Sequence, residues 1–184
     1  KYMLRTKDIL DEKDPRVRAK NTDVDFPLND EYKDIIPEML KHLRYSQIEK
    51  LSKKYDLRPG MGLAAPQLGI NKNFFVVCYE VKDGIFDDYI LINPKVISYS
   101  EEMIYVGEGE GCLSVNREVE GIVPRHARIT VEAYDLDGNK RKYRVREDLA
   151  IAFQHELDHL NGILFVDYID PKDPYKNADL YREI

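Results

Sequence analysis

The sequence predicts an α+β fold, in which antiparallel or mixed β-sheets pack around one buried central helix and two earlier helices lie on the flank. Three observations support this prediction. Residues 147–161 carry apolar side chains around most of a helical circumference, which is typical of a buried helix. Four segments between residues 73 and 146 are rich in the aromatic and β-branched residues that favour strands. Two helical patterns lie before the first of these strands.

The length and charge of the chain limit the possible classes of protein. A chain of 184 residues suits a single domain, here 1–184, with residues about 171–184 as a surface tail. The net charge of −6, with scattered Lys and Arg, argues against a general nucleic-acid surface, although it leaves room for a local basic patch. We therefore expect no specific nucleic-acid partner.

Other features of composition concern the compartment. The chain has only two cysteines, no apolar run long enough to span a bilayer and no charged-then-apolar leader, so we expect a reducing cytoplasm and no membrane partner. Residue 1 is Lys. Either the start is trimmed, or Lys1 and Tyr2 are additions ahead of a native start at Met3.

The first part of the chain predicts an irregular arm followed by two helices. Residues 11–26 are polar with no steady apolar period, and Asn29 then offers a helix cap. A stripe at Ile35, Met39, Leu40 and Leu43 follows, and Pro37 predicts either a kink or a helix that begins near it. The second helix covers residues 48–55.

The strands are predicted from their residue types and the turns between them. Residues 73–81 and 89–97 form two strands separated by a loop, and Asn93-Pro94 indicates an edge strand or a bulge. Cys78 lies in the first strand and is expected to be a core thiol. Residues 128–135 and 141–146 flank Leu136-Asp137-Gly138-Asn139 as a β-hairpin.

Two histidines mark the candidate site. His155 and His159 are four residues apart, which places them about 40° apart on one helix face, where they can hold one metal ion. Glu156 and Asp158 project about 80° to opposite sides, so one carboxylate can face the metal site while the other faces away. The alternative is a core helix whose polar side chains are satisfied by neighbours.

A catalytic metal needs a third protein ligand. Cys112 is the best candidate, because it lies in a glycine-rich segment that can fold tightly against the helix. His42 and His126 are weaker candidates. The small-residue stretch 60–69 is either an ordinary loop or a substrate-lining segment that aims Gln67, and the residues alone favour neither.

Three separated motifs resemble those of the peptide deformylase family. They are Gly60-x-Gly62-Leu63-Ala64-Ala65-x-Gln67, Glu110-Gly111-Cys112-Leu113-Ser114 and Gln154-His155-Glu156-x-Asp158-His159. Their order and separation also fit, and the resemblance covers roughly residues 3–170. The segment 27–58 resembles the insert-bearing type II bacterial subclass. The tail after Asp170 does not resemble the C-terminal helix through which the shorter subclass is held to dock on the ribosome.

This resemblance implies an activity and a metal centre. The enzyme would remove the formyl group from the formyl-methionine of nascent bacterial chains, with formyl-methionyl peptides as partners and any ribosome association made without a long C-terminal helix. Cys112, His155 and His159 would hold one divalent ion per chain, natively Fe(II), for which Zn, Ni or Co can substitute. Glu156 would act as general base and then acid, while Gln67 and the backbone N–H of Leu113 would stabilise the oxyanion.

The resemblance also implies how substrate binds. The methionine side chain would enter an apolar pocket near Met61 and Ile151, and Gly62 and Gly111 would offer backbone hydrogen bonds to the peptide. Asp158 would form a structural salt bridge, for which Arg125 is one candidate partner.

Two alternative functions are weighed against this interpretation. An ordinary metallopeptidase usually has His or Glu as third ligand, so Cys112 counts against it. A non-catalytic protein with a structural Zn site needs a fourth protein ligand, and none is evident in the sequence.

Overall fold

The computed structural model describes residues 3–184 and shows a mixed α+β fold, which confirms the predicted fold class at this level. The expectation about Lys1 and Tyr2 lies outside the described residues. The helices are α1 (Asp30–Ser46), α2 (Glu49–Tyr55) and α3 (Glu147–Leu160). The strands are β1 (Gly62–Ala64), β2 (Phe74–Lys82), β3 (Ile85–Tyr99), β4 (Met103–Tyr105), β5 (Arg125–His126), β6 (Arg128–Tyr134), β7 (Lys140–Arg146) and β8 (Arg182–Glu183).

The strands form two sheets. The larger sheet has the order β1-β2-β3-β6-β7, and all of its neighbouring strands are antiparallel. The smaller sheet has the order β5-β4-β8, with an antiparallel and a parallel pair. Alternate residues of β2 serve two cores: Phe74 and Val76 pack with α1, whereas Phe75 and Val77 pack with α3. The two helices therefore cover opposite faces of the larger sheet.

Helix α1 begins where its cap was predicted. The Asn29 side chain accepts a hydrogen bond from the N–H of Glu31, and Met39 and Leu43 are fully buried. Pro37 lies inside the helix, eight residues into its run from Asp30, so the alternative that the helix begins near Pro37 was wrong. The cap and the buried stripe outweigh one lost backbone hydrogen bond.

Strand β3 is longer than predicted. It begins at Ile85, directly after a turn at Asp83-Gly84, so the predicted loop over residues 83–88 was wrong beyond that turn. The pairing with β6 shifts register between Ile92 and Lys95, and Asn93 has a φ of 52°. Asn93-Pro94 therefore marks a bulge, as one alternative held, and not an edge, because β3 pairs on both sides.

The predicted hairpin and the helix that follows it are confirmed. Strands β6 and β7 pair from Arg128 with Arg146 to Tyr134 with Lys140. Helix α3 then runs from Glu147 to Leu160. Gly162 follows its cap, and the φ of 72° there allows the N–H of Ile163 to bond to the carbonyl of Asp158.

The tail beyond α3 returns to the smaller sheet. Its residues are mostly exposed, but Arg182 and Glu183 pair with β4 as β8. Arg182 also binds Glu102 and Glu147, the first residue of α3. Within residues 3–184, no helix has the length and apolar character needed to cross a membrane.

Candidate metal centre

Cys112, His155 and His159 meet in the structure. One ligand atom from each of the three lies within 4.8 Å of the others, and the Cys112 Sγ is 3.3 Å from the Nε2 of His159. Both histidines are buried and the cysteine is partly buried. One thiol and two imidazoles form a donor set suited to a divalent transition metal.

Cys112 is positioned by the segment that follows β4. Its carbonyl accepts a hydrogen bond of 2.6 Å from Arg58, and the Ser114 N–H approaches its Sγ to 3.5 Å. Gly109 has a φ of 86°, and a Cβ there would lie 2.8 Å from the carbonyl oxygen of Gly121. The segment thus folds in a way that needs glycine at this position.

His155 is oriented by Glu110. Its Nδ1 lies 2.8 Å from a Glu110 carboxylate oxygen, which leaves Nε2 available as the ligand atom. Burial lowers the pKa of His155, but hydrogen bonds with Cys112 and Glu110 outweigh that effect and raise it well above the usual value. A bound metal would take the place of that proton.

Glu110 is held in turn by Arg125. Two hydrogen bonds of 2.9 Å join the guanidinium to the carboxylate, and both side chains are almost fully buried. Burial alone would raise the pKa of Glu110, but Arg125 and His155 hold it at about 2. The carboxylate is therefore charged at neutral pH and keeps the ring of His155 in one orientation.

Arg125 also binds Asp158. It is the residue that the sequence analysis named as a candidate partner for Asp158. The Nη1 of Arg125 lies 2.5 Å from a carboxylate oxygen of Asp158, to which the Tyr168 hydroxyl donates at 2.8 Å. The Arg125 guanidinium lies 5.2 Å from the centroid of the Tyr168 ring. Asp158 thus helps to hold Arg125, which holds the Glu110 carboxylate that bonds to His155.

His159 and Glu156 are both buried without a full set of hydrogen bonds. Burial lowers the pKa of His159 well below its usual value, so the ring is neutral and able to bind a metal. The Glu156 carboxyl is also buried, and burial raises its pKa to about 7. Its Oε1 has no hydrogen-bond partner within residues 3–184. A Cβ on Gly62 would lie 2.5 Å from Oε2, so the carboxyl rests against the backbone of that glycine.

Gln67 is buried and its amide has a fixed orientation. Its Oε1 accepts a hydrogen bond from the N–H of Ala64, while its Nε2 donates to the Ser114 Oγ at 3.0 Å. The same Nε2 is 3.6 Å from the Sγ of Cys112. The amide nitrogen thus faces the candidate metal centre.

A cleft of about 1100 Å³ opens beside the cluster of three candidate metal ligands. Cys112, His155 and Glu156 line it. So do the four residues that the resemblance assigned to substrate, Met61, Gly62, Gly111 and Ile151.

Other histidines lie apart from this cluster. His42 is buried in the flank with its Nδ1 2.9 Å from the carbonyl oxygen of Leu4, and the Nδ1 of His126 is 2.7 Å from that of Ser100. The sequence did not assign roles to Glu110, Arg58 or Ser114. A carboxylate two residues before the cysteine was a signal for Glu110, because metal-binding histidines usually need a partner for the other ring nitrogen.

Fold and site together have the features of a metal-dependent hydrolase, since two helical histidines and one cysteine form a cluster able to bind a metal and a buried glutamate lies beside it. Comparisons with known proteins specify the family. The family described as polypeptide deformylase matches residues 6–175. A peptide deformylase of Macrococcus caseolyticus is 50% identical over 175 residues, or 95% of each chain, and peptide deformylase 2 of Bacillus anthracis is 45% identical over 177 residues, or 96% of each.

Solved structures agree with this assignment. The peptide deformylase of Thermotoga maritima is similar with a TM-score of 0.70 and 32% identity, covering 93% of this chain and 100% of its own. A probable peptide deformylase from Synechococcus phage S-SSM7 has a TM-score of 0.72 and 35% identity, covering 88% and 98%. The chain therefore belongs to the peptide deformylase family, hydrolases that remove the formyl group from the amino terminus of nascent peptides.

Proposed function

We propose that this chain removes the formyl group from formyl-methionyl peptides at a single metal centre held by Cys112, His155 and His159. The observation that carries the proposal is the arrangement of these three ligands at the wall of a cleft, with Glu156 beside them. On this proposal α3 is the central helix of the fold, because it supplies two ligands and the general base.

The donor set fits one divalent ion, and we assign Fe(II) as the native one, with Zn, Ni or Co as substitutes. Three protein ligands leave a position open for chemistry, as in catalytic sites. When bound, such an ion acidifies water and polarises a carbonyl oxygen. The bond between Glu110 and His155 supports His155 as a ligand of that ion, since it leaves Nε2 rather than Nδ1 free to bind it.

Glu156 is the general base and later the general acid. A carboxyl whose pKa is about 7 can take a proton from the attacking water at neutral pH and return it to the leaving amine. Its unpartnered Oε1 is free to make that contact within the described part of the chain.

Gln67 and the backbone N–H of Leu113 stabilise the oxyanion. Gln67 is supported by its fixed amide, whose oxygen is occupied by the Ala64 N–H so that its nitrogen must face Cys112. The N–H of Leu113 directly follows the cysteine and donates no backbone hydrogen bond within residues 3–184. Two donors at one oxyanion are the usual arrangement for acyl transfer.

The cleft receives the peptide. Met61 and Ile151 would contact the methionine side chain, and Gly62 and Gly111 would bind its backbone. A Cβ on Gly111 would meet no atom within 4 Å, so this glycine leaves room for a strand of substrate.

The substrates also indicate where in the cell the enzyme acts. We assign it to the cytoplasm, where nascent chains are made, as one catalytic domain over residues 1–184 of the type II subclass. Within residues 161–184 the helical segments are three- and four-residue turns, so any ribosome association through these residues would not use a long helix.

Hydrolysis of three matched peptides tests the proposal. Formyl-Met-Ala-Ser, acetyl-Met-Ala-Ser and unblocked Met-Ala-Ser are incubated with anaerobically purified protein, and formate, acetate and free methionine are measured. We expect formate from the first peptide and no cleavage of the others. Release of methionine would indicate a metallopeptidase instead, and no product from any peptide would favour a structural metal site.

A further inference from the structure

The outer face of strands β6 and β7 gathers cations that are dispersed in the sequence. Tyr143 and Val145 pack toward α3, so the alternating residues of β7 point to the other side of the sheet. These positions are Lys140, Lys142, Arg144 and Arg146, and all four are exposed.

Neighbouring strands extend this surface, which we call the basic face. Arg128 of β6 is paired directly with Arg146, and Lys95 of β3 is paired with Glu132. Residues paired in this way lie on the same side of a sheet. The basic face thus comprises Lys95, Arg128, Lys140, Lys142, Arg144 and Arg146.

Few acids neutralise the basic face. Glu132 lies on it, paired in register with Lys142 and Lys95 and 3.9 Å from Lys140, and Arg128 reaches Glu102 at 2.8 Å. Within residues 3–184, Lys142, Arg144 and Arg146 form no ion pair. Arg128 and Arg146 are directly opposite one another, and like charges so placed destabilise a sheet. A bound anion would relieve this repulsion.

Protection of an edge strand does not account for the whole face. β7 is an edge strand, and cations on such strands prevent pairing with other chains. That role needs charge on β7 alone, whereas Arg128 and Lys95 lie on β6 and β3, which are paired on both sides.

We propose that the basic face binds the phosphate backbone of duplex RNA without reading its sequence. The four cations of β7 extend over about 20 Å at 3.4 Å per residue, a length that covers several phosphates of one strand. The choice of RNA rests on the deformylase function, because nascent chains are made on an RNA-rich particle. Binding itself can be measured without catalysis.

The other exposed features of the basic face fit this partner better than single strands or membranes. Binding of unpaired bases uses exposed aromatic rings, but Tyr134 is partly buried and packs on Phe26 with ring centroids 5.6 Å apart. Stable attachment to a membrane usually adds apolar side chains that insert. Here the positions between the cations are Thr130 and Ser98.

The test compares a variant of the basic face with the wild type. Lys142→Gln, Arg144→Gln and Arg146→Gln are combined, and fluorescence anisotropy of a short labelled duplex RNA is followed between about 50 and 200 mM salt. We expect affinity to fall at least about tenfold at the lower salt concentration, and the slope of log K against log salt to become shallower by about one for each cation removed.

A control variant separates local charge from net charge. Lys20→Gln, Lys33→Gln and Lys50→Gln remove three exposed cations elsewhere and change the net charge equally. This control should bind RNA like the wild type, and both variants should deformylate a free formyl-Met tripeptide normally. The proposal is overturned if both variants lose affinity equally, if the wild type binds no RNA, or if it prefers phosphatidylserine vesicles over RNA.

Discussion

At the scale of single residues, the Glu156 carboxyl is buried, has one oxygen without a hydrogen-bond partner among residues 3–184, and lies close to Gly62. We predict that Glu156→Ala lowers the deformylation rate at least about 10²-fold, because general-base catalysis is lost, while the metal stays bound. Metal analysis and kinetics on the same preparation check this. A variant whose metal content falls together with its activity would show that Glu156 is a ligand or supports one.

Gly62 offers a second test of the same carboxyl. A methyl group at this position would overlap Glu156, so Gly62→Ala should displace the carboxyl and lower kcat. If displacement is the whole effect, the double variant Gly62→Ala/Glu156→Ala should be no slower than Glu156→Ala alone. Additive losses would mean that Gly62 acts mainly through the peptide backbone.

Gln67 is expected to act in the transition state. Replacement by Leu removes one oxyanion donor, worth about 2.7–4 kcal/mol, so kcat should fall about 10²–10³-fold while KM changes little. Steady-state kinetics measure the two parameters, and thermal unfolding controls for loss of the bond to Ala64. A near-normal kcat in a folded variant would remove Gln67 from the mechanism.

The sequence predicted more about the candidate metal ligands than about the residues that orient them. His155 and His159 share one helix face whatever surrounds them, so four-residue spacing sufficed. The bond from Glu110 to His155 joins residues 45 apart, and no local rule specifies it. Family motifs supplied Cys112 and Glu110 together, but only the folded chain shows which carboxylate orients which ring.

At the scale of elements, the side chain of Gln154 on α3 makes two hydrogen bonds to the backbone of β5, in addition to the ion pair between Arg125 and Asp158. The Oε1 of Gln154 accepts from the N–H of His126, and its Nε2 donates to the carbonyl of His126, each at 2.8 Å. Gln154→Ala leaves both backbone groups without these partners and should lower the free energy of unfolding by about 1–3 kcal/mol. Denaturant unfolding measures this loss.

The matched control is Gln47, which also bonds to a strand backbone. Its Nε2 donates to the carbonyl of Cys78 at 2.9 Å, but its side chain accepts nothing in return within residues 3–184. Gln47→Ala should therefore cost less than Gln154→Ala. Equal losses, or none for Gln154→Ala, would contradict the view that this residue joins α3 to the smaller sheet.

Elements with strong local signals were predicted well, and elements that depend on distant partners were not. The hairpin of β6 and β7 and the ends of α3 follow from turn residues and apolar period. β8 has two residues in a polar tail, and its pairing with β4 is accompanied by ion pairs from Arg182 to the distant Glu102 and Glu147. A short polar strand of this kind carries no periodic pattern.

At the scale of the whole molecule, the two faces of the larger sheet differ in what they carry. Helix α3 and the candidate metal centre lie on one side, and the basic face lies on the other. The net charge of −6 argued against a general nucleic-acid surface, but a net charge cannot show where the cations gather. Strand pairing was needed to place Arg128 beside Arg146.

The central claim is that Cys112, His155 and His159 hold the catalytic metal, and the two cysteines allow a matched test. Cys78 is fully buried in β2, where burial raises its pKa to about 12, so it should play no part in metal binding. Cys112→Ala, Cys78→Ala and wild-type protein are freed of metal, loaded with Fe(II) under argon, dialysed and analysed for bound iron.

We predict about one iron per chain for the wild type and for Cys78→Ala, and a loss of most of the iron from Cys112→Ala, because a site with two histidines lacks the thiolate that completes it. Full iron binding by Cys112→Ala, in a variant that unfolds at the same temperature as the wild type, would contradict the account.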